Sequence, residues 1–435
     1  MRALAVMVSA AVLFGQAPPD PNQRLIQARR MLVERHARLP DYVCVQTVDR
    51  QYFKHRNTSS SNASCDRIRT LGSEDLVLEA TDRLRLDLKL SQGREIGSWS
   101  GSRFSSRSVF DLIGGGPYET GMLGTLISDV FLNGGAAYKY CGEQTSGGSR
   151  LFQYDYEVPL EASHYQIKSG PGWAPAAFSG AFWLDGDSLE LRRLKAQSTD
   201  LPPESGACEF ATTVDYQMAR AGSGAFLLPS KSSMRTVLND GREVQLNAVY
   251  SGCRQYRGEA TIRFDEAAGG DEVKPAAKAA LPAKGLVISL ALAEPIDSDT
   301  AAAGDLVKAK VRWAVRDPKR KSVLIPAGAT AEIRIVQMWH ALGKSPHFAI
   351  SLVLEQVEIA GAPVPLYAAA ERRATLGDSG VLPRTVDVAP FTGSRTALPA
   401  SKLSLVNKLV FVTRQGHCRI PAGYLTDWIT IAPPD

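Results

Sequence analysis

In the stretch Asp82-Arg83-Leu84-Arg85-Leu86-Asp87-Leu88-Lys89-Leu90, leucines 84, 86, 88 and 90 alternate with the charges Arg83, Arg85, Asp87 and Lys89. A helix would scatter the four leucines around its circumference. A strand sends all four to one face and the charges to the other, so the pattern predicts a half-buried strand with one wet side. Period two recurs on both sides of it, at Tyr42–Phe53, Leu76–Ala80, Arg150–Val158, Tyr165–Lys168, Ser179–Leu184, Leu189–Gln197, Cys208–Met218, Glu243–Tyr250 and Ala260–Phe264. Asp185-Gly186-Asp187 and Asn239-Asp240-Gly241 carry hairpin-turn chemistry between neighbouring strands. Strands joined by short turns predict an antiparallel meander, and hence a mainly β protein built on one large curved sheet.

Two segments depart from that period. Leu25, Ile26, Met31 and Leu32 recur at near-helical spacing within Asn22–Arg38, which predicts one amphipathic helix ahead of the sheet. Further on, Gly114-Gly115-Gly116-Pro117 leads into Tyr118–Leu132, and Asn133-Gly134-Gly135 closes it. Met122, Leu123, Leu126, Ile127, Val130 and Phe131 recur there at helical spacing. The segment reads either as a core helix capping the sheet or as an apolar lid, hinged at its glycines over a hydrophobic cavity. Under the second reading the candidate ligand-binding residues are those six, together with Leu84, Leu86, Leu88 and Trp183 from the sheet.

Residues 1–17 have the form of a secretory leader: a basic start at Arg2, an apolar run from Ala3 to Phe14, and small residues Gly15 and Ala17 at a cleavage position. Residues 18–265 then form the antiparallel meander domain, for which the resemblance given below implies a half-barrel. Residues 266–284, rich in alanine and interrupted by Gly269-Gly270, Pro275 and Pro282, form a linker. In residues 285–435 the alternation returns, with Leu286, Ile288, Leu290 and Leu292 on one strand and Val307, Ala309, Val311, Trp313 and Val315 on the next. Short strands without a helix predict a small C-terminal β-sandwich or barrel.

The chain has 435 residues, 44% of them hydrophobic and 22% charged, which excludes a disordered polymer. Its 50 Lys+Arg against 45 Asp+Glu are too evenly matched for a nucleic-acid footprint. After the leader no run approaches the 18 or so apolar residues of a membrane span, so the mature chain is expected without one, in the periplasm or secreted. Six cysteines in an oxidising compartment favour disulfides. Each of Cys44–Cys65 and Cys208–Cys253 brackets one strand-turn-strand excursion, and Cys141–Cys418 follows by elimination.

Catalytic motifs are missing. The six histidines form no HxH or HExxH spacing, no Cys pair is spaced CxxC, and no GxSxG elbow occurs. Gly114–Gly116 lacks the Lys-Ser/Thr of a phosphate loop. Asp185/Asp187 and Asp297/Asp299 read as turn residues, lacking the remaining ligands of a calcium loop. No catalytic residue, metal ligand or cofactor is expected.

Leu25–Leu32, Leu84–Leu90, Phe182-Trp183-Leu184-Asp185 and Leu228-Pro229-Ser230-Lys231, in that order around an apolar helical insertion, resemble the outer-membrane lipoprotein carrier (LolA-like) superfamily. The resemblance implies a half-barrel around a helical lid, holding acyl chains. Ile288-Ser289-Leu290, Pro295-Ile296-Asp297-Ser298, Gly304-Asp305 and Ile325-Pro326-Ala327-Gly328-Ala329 resemble the β-barrel domain of conjugative channel proteins, implying a related sandwich or barrel. As a whole the arrangement is similar to uncharacterised exported proteins of Acidobacteria. The expected function is therefore a periplasmic binding or carrier module for a hydrophobic small molecule or lipid. The alternatives are an envelope structural or interaction protein that docks a partner protein through an edge strand, and, third, a hydrolase assembled from scattered loops.

Overall fold

A computed structural model describes residues 20–56, 64–91, 93–105, 108–169, 172–221, 224–256, 284–319, 322–343, 346–370, 382–383, 408–413 and 416–432. The leader, the strand expected at Ala260–Phe264 and the linker up to residue 283 lie outside the described residues.

Helix α1 (Pro21–Ala37) starts on a proline, which suits a first turn whose N–H groups have no helical acceptor, and buries Leu25, Ala28 and Leu32. The alternating strand that begins at Asp82 is longer than its leucines show. Leu76–Ala80 and Asp82–Leu90 are one strand. It belongs to a series: β1 (Tyr42–His55), β2 (Leu76–Ser91), β3 (Arg94–Trp99), β4 (Ala137–Ser146), β5 (Ser149–Val158), β6 (Gln166–Ser169), β7 (Gly172–Pro175), β8 (Phe178–Asp185), β9 (Leu191–Ser198), β10 (Ala207–Ala221), β11 (Gly224–Leu238) and β12 (Arg242–Gln255). Apart from the β6–β7 hairpin, these form one antiparallel ladder in the order β4-β5-β8-β9-β10-β11-β12-β1-β2-β3. Among the described residues no pairing joins β3 to β4, so the sheet curls without closing. Register shifts at Val43/Val45, Tyr52/Phe53, Asp215/Tyr216 and Tyr140/Gly142 supply the bulges that bend such a sheet.

The remaining strands are β13 (Val287–Leu292), β14 (Ile296–Asp297), β15 (Leu306–Val311), β16 (Val315–Arg316), β17 (Val323–Ile325), β18 (Thr330–Ala341), β19 (His347–Ile359), β20 (Ala362–Pro365), β21 (Ala368–Ala370), β22 (Leu382–Pro383), β23 (Leu409–Thr413), β24 (Arg419–Ile420) and β25 (Leu425–Thr430). Most join a second antiparallel ladder, β21-β25-β13-β15-β18-β19-β23-β22. Two large apolar clusters result. One gathers α1, the first sheet and the segment 109–131, and the other gathers Leu286 through Trp428.

The ladders are hydrogen-bonded to each other along the outer edge of β2. β3 covers Leu86–Ser91 of that edge, the lone bridge Leu84↔Ala303 covers its middle, and β18 covers Ala80–Asp82 through Trp339, His340 and Ala341. An edge that would otherwise present unpaired N–H and C=O groups is thereby occupied. Arg85 seals the seam by an ion pair to Asp305 (2.5 and 2.6 Å). The buried Arg334 donates to the carbonyl oxygens of Ser100 (2.9 Å) and Gly304 (2.6 Å) while pairing with Glu355.

The cysteine pairing differs from the expected one. Cys44 is bonded to Cys253 and Cys65 to Cys208, while Cys141 and Cys418 are free, the first exposed on β4 and the second buried. Cys44–Cys65, Cys208–Cys253 and Cys141–Cys418 are therefore corrected. The expected pairs followed closeness along the chain, whereas sheet order sets β12 against β1 and lays α2 (Cys65–Arg69) over the start of β10.

Candidate functional site

Residues 114–135 fill the concave face of the first sheet. The expected helix Tyr118–Leu132 forms only in its second half. Only Thr125–Ile127 is α-helical, Ser128–Leu132 is a π turn, and residues before Thr125 are irregular. Leu126, Ile127, Val130 and Phe131 lie in the helical half, while Met122 and Leu123 are buried without a helix because Pro117 and Gly121, the latter at φ +96°, break the first half.

The segment is tied down by polar clamps at its entry. Gly114, Gly115 and Gly116 all take left-handed backbone, and Gly116 packs so closely that a Cβ would lie 3.0 Å from the Tyr52 hydroxyl and 3.1 Å from Arg50. Arg50, buried on β1, donates to the carbonyl oxygens of Gly115 (3.0 Å) and Pro117 (3.3 Å) and pairs with Asp82. Glu95 on β3 accepts the N–H groups of Gly121 (2.8 Å) and Leu123 (2.5 Å), and Tyr42 donates to the Leu123 carbonyl (3.2 Å). Between these clamps Tyr118 donates to Gln46, which in turn donates to Tyr250.

Glu119 is buried and accepts one bond, from Thr212 (2.9 Å), while its other carboxylate oxygen has no partner. Burial pushes its pKa up to about 8, and the nearby Glu95 adds to the shift. Burial also raises Glu95, against the lowering effect of the N–H groups it accepts.

The exit is held from the other side. Arg29 of α1 donates twice to the carbonyl of Phe131 (3.2 and 3.1 Å), and Tyr138 donates to that of Val130. The buried Asp129 accepts from the backbone (2.9 Å) and ring (2.8 Å) of His164 and from Asn133 (2.9 Å).

Between the clamps the six apolar residues Met122, Leu123, Leu126, Ile127, Val130 and Phe131 are buried in one cluster with Leu84, Leu86 and Leu88. Phe131 meets Phe182 edge to face at 4.8 Å. Trp183 does not join them. Its neighbours Phe182 and Leu184 take the inner face, and Trp183 is half-buried outside that cluster with its indole N–H unpartnered.

A crevice of about 20 Å³, one water's worth, opens between α1, the plug and the start of β11, lined by Leu32, Arg35, His36, Leu39, Leu123, Ile127, Phe226 and Leu227. The plug thus occupies the space a ligand would need. Sequence reasoning missed Arg50, Glu95 and Glu119, because a single charge carries no pattern that announces its burial. The polar group Asp297, Asp299 and His417 is accounted for as a turn plus an ion pair: Asp297 accepts the Asp299 N–H (3.0 Å) and sits 2.8 Å from His417 Nε2. Among the described residues no helix is long and apolar enough to cross a membrane.

No family model matches the chain, and no curated protein matches it. Among solved structures it is similar to a LolA superfamily protein from Nitrosomonas europaea (9% identity, TM-score 0.25), covering 55% of this chain and 94% of that one. It is also similar to a DUF1329 family protein from Desulfovibrio piger (11% identity, TM-score 0.24), covering 55% and 95%. A third likeness is to the lipoprotein LppX of Mycobacterium tuberculosis (11% identity, TM-score 0.20), covering 55% and 99%. Scores of this size leave the functional argument to the geometry of the chain itself.

Proposed function

We propose that the protein is an exported binding or carrier protein that holds a lipid or other acyl-bearing molecule on the concave face of its first sheet, with residues 114–135 as a displaceable plug. One observation carries this reading. Six apolar side chains of the plug cover the inner face of an open sheet, yet the plug is held there by hydrogen bonds and flanked by left-handed glycines, with no disulfide across it. An acyl chain entering the same face replaces apolar contacts with apolar contacts, at about 0.8 kcal/mol per methylene. The two disulfides support an oxidising compartment.

The filled interior favours a second reading, an envelope interaction protein in which the plug is permanent core. Titration of the full chain with a fluorescent fatty acid, alongside mass spectrometry of copurified lipid, separates the two. Saturable binding that Leu126→Asp alters supports the carrier. Absence of both binding and copurified lipid leaves the interaction protein.

A further inference from the structure

The sequence between Lys308 and Lys321 holds seven cationic residues against the single acid Asp317, a local excess that the whole-chain balance conceals. Lys308, Lys310, Arg312, Arg316 and Lys319 are all exposed. In their midst stands Trp313. The alternating pattern assigns it to the buried stripe of Val307, Ala309 and Val311, but β15 ends at Val311 and Trp313 lies in a bend, 63% exposed. The Arg312 guanidinium sits 5.0 Å from its ring centre.

Two more large apolar side chains share this rim. Val323, paired with Arg316 across β16 and β17, is 46% exposed. Val287 on β13 is 51% exposed, and β13 runs alongside this end of β15, since Arg312 donates its N–H to the Ser289 carbonyl two residues away. Exposed Lys284 continues the basic line. The acids nearby are Asp317, Glu294, whose carboxylate accepts the Lys308 N–H (3.3 Å), Glu332 opposite Lys308, and Asp427, which sits opposite Ser289.

We propose that this rim is a docking surface for the headgroup layer of an anionic lipid bilayer. Tryptophan is the residue that settles best at a membrane–water interface, and flanking lysine and arginine add attraction to anionic lipid headgroups. The aliphatic Val287 and Val323 suit acyl-chain contact and offer no ring for stacking on a nucleobase. The surface lies on the second ladder, away from the plug, and does not depend on it. A carrier with such a face would load or release its cargo while seated on the membrane.

The test is co-sedimentation of the full chain with phosphatidylcholine vesicles, with and without phosphatidylglycerol. Binding is expected to the anionic vesicles, weakened by high salt. Lys310→Gln/Arg312→Gln/Lys319→Gln should weaken it about 100-fold, from about 1 kcal/mol for each cation at the surface, and Trp313→Ser should weaken it several-fold. Both variants alter exposed side chains, so their unfolding midpoints should match the parent and their fatty-acid probe binding should be unchanged. Equal affinity for neutral and anionic vesicles, no binding to either, or full binding by the charge variant would overturn the proposal. So would an oligonucleotide that binds more tightly than the vesicles and displaces them. Vesicle binding without fatty-acid uptake would sink the carrier reading and leave this surface standing.

Discussion

Arg50 and Asp82 stand directly opposite each other across β1 and β2, and both are largely shut away from solvent, with two hydrogen bonds of 2.8 and 2.5 Å between them. The remaining guanidinium nitrogen reaches over the sheet to the carbonyls of Gly115 and Pro117. One charged pair thus ties the inner face of the sheet to the start of the plug.

Breaking that pair from one side leaves a buried charge uncompensated, which costs about 3–5 kcal/mol. Arg50→Met should lower the unfolding free energy by that order, measured by urea titration. Hydrogen exchange at residues 118–124 should accelerate by more than at β9 and β10, which do not touch the pair. Uniform acceleration would show that the pair supports the sheet without gating the plug.

The carboxyl of Glu119, raised to about 8 by burial, links plug stability to pH. A folded-state pKa above the unfolded value means the native chain binds the extra proton. Stability is then full below about pH 4.5 and is lost as pH rises through about 8. The unfolding midpoint should therefore fall between about pH 4.5 and 8 and level off above, and Glu119→Gln should flatten that fall. A parent protein whose midpoint holds level over this interval would contradict the assignment.

Tryptic mapping without reductant should yield peptides joining Cys44 to Cys253 and Cys65 to Cys208. Cys141 should alkylate in the native protein and Cys418 only after unfolding. Replacing Cys65 and Cys208 together by serine should cost about 2–5 kcal/mol.

Gly304 has φ +110°, and a Cβ there would lie 1.9 Å from the Arg85 carbonyl oxygen. Gly304→Ala should separate the seam between the two ladders, seen as faster hydrogen exchange at Arg83–Arg85 and a destabilisation of several kcal/mol. At Gly134, where a Cβ meets nothing within 4 Å, the same exchange should cost only the backbone strain.

The leucines of Leu84–Leu90 were legible because burial on one face imposes a period that any reader can count. The mainly β class and the open antiparallel sheet followed from it. β4 was missed although Tyr138 and Tyr140 alternate, since only those two of its ten residues carry an apolar stripe. β11 was missed because Pro229 interrupts it, and the bulge at Asp215/Tyr216 is what accommodates that proline. The first half of the plug was read as helix because apolar spacing reports which side chains are buried, and the irregular backbone before Thr125 buries Met122 and Leu123 all the same. The disulfides could not be read, since partner choice was set by which strands lie side by side.

The shared edge of β2 also bears on how the chain is made. Trp339, which pairs with Asp82, follows it by 257 positions (339 − 82). At a synthesis rate of about 5–20 residues per second, Ala80–Asp82 wait on the order of 10–50 s for their partner. Throughout that interval the nascent chain carries an open strand margin at Ala80–Asp82. The margin stays open to pairing with a second chain until β18 docks on it, so early crowding of half-made copies favours edge-to-edge association.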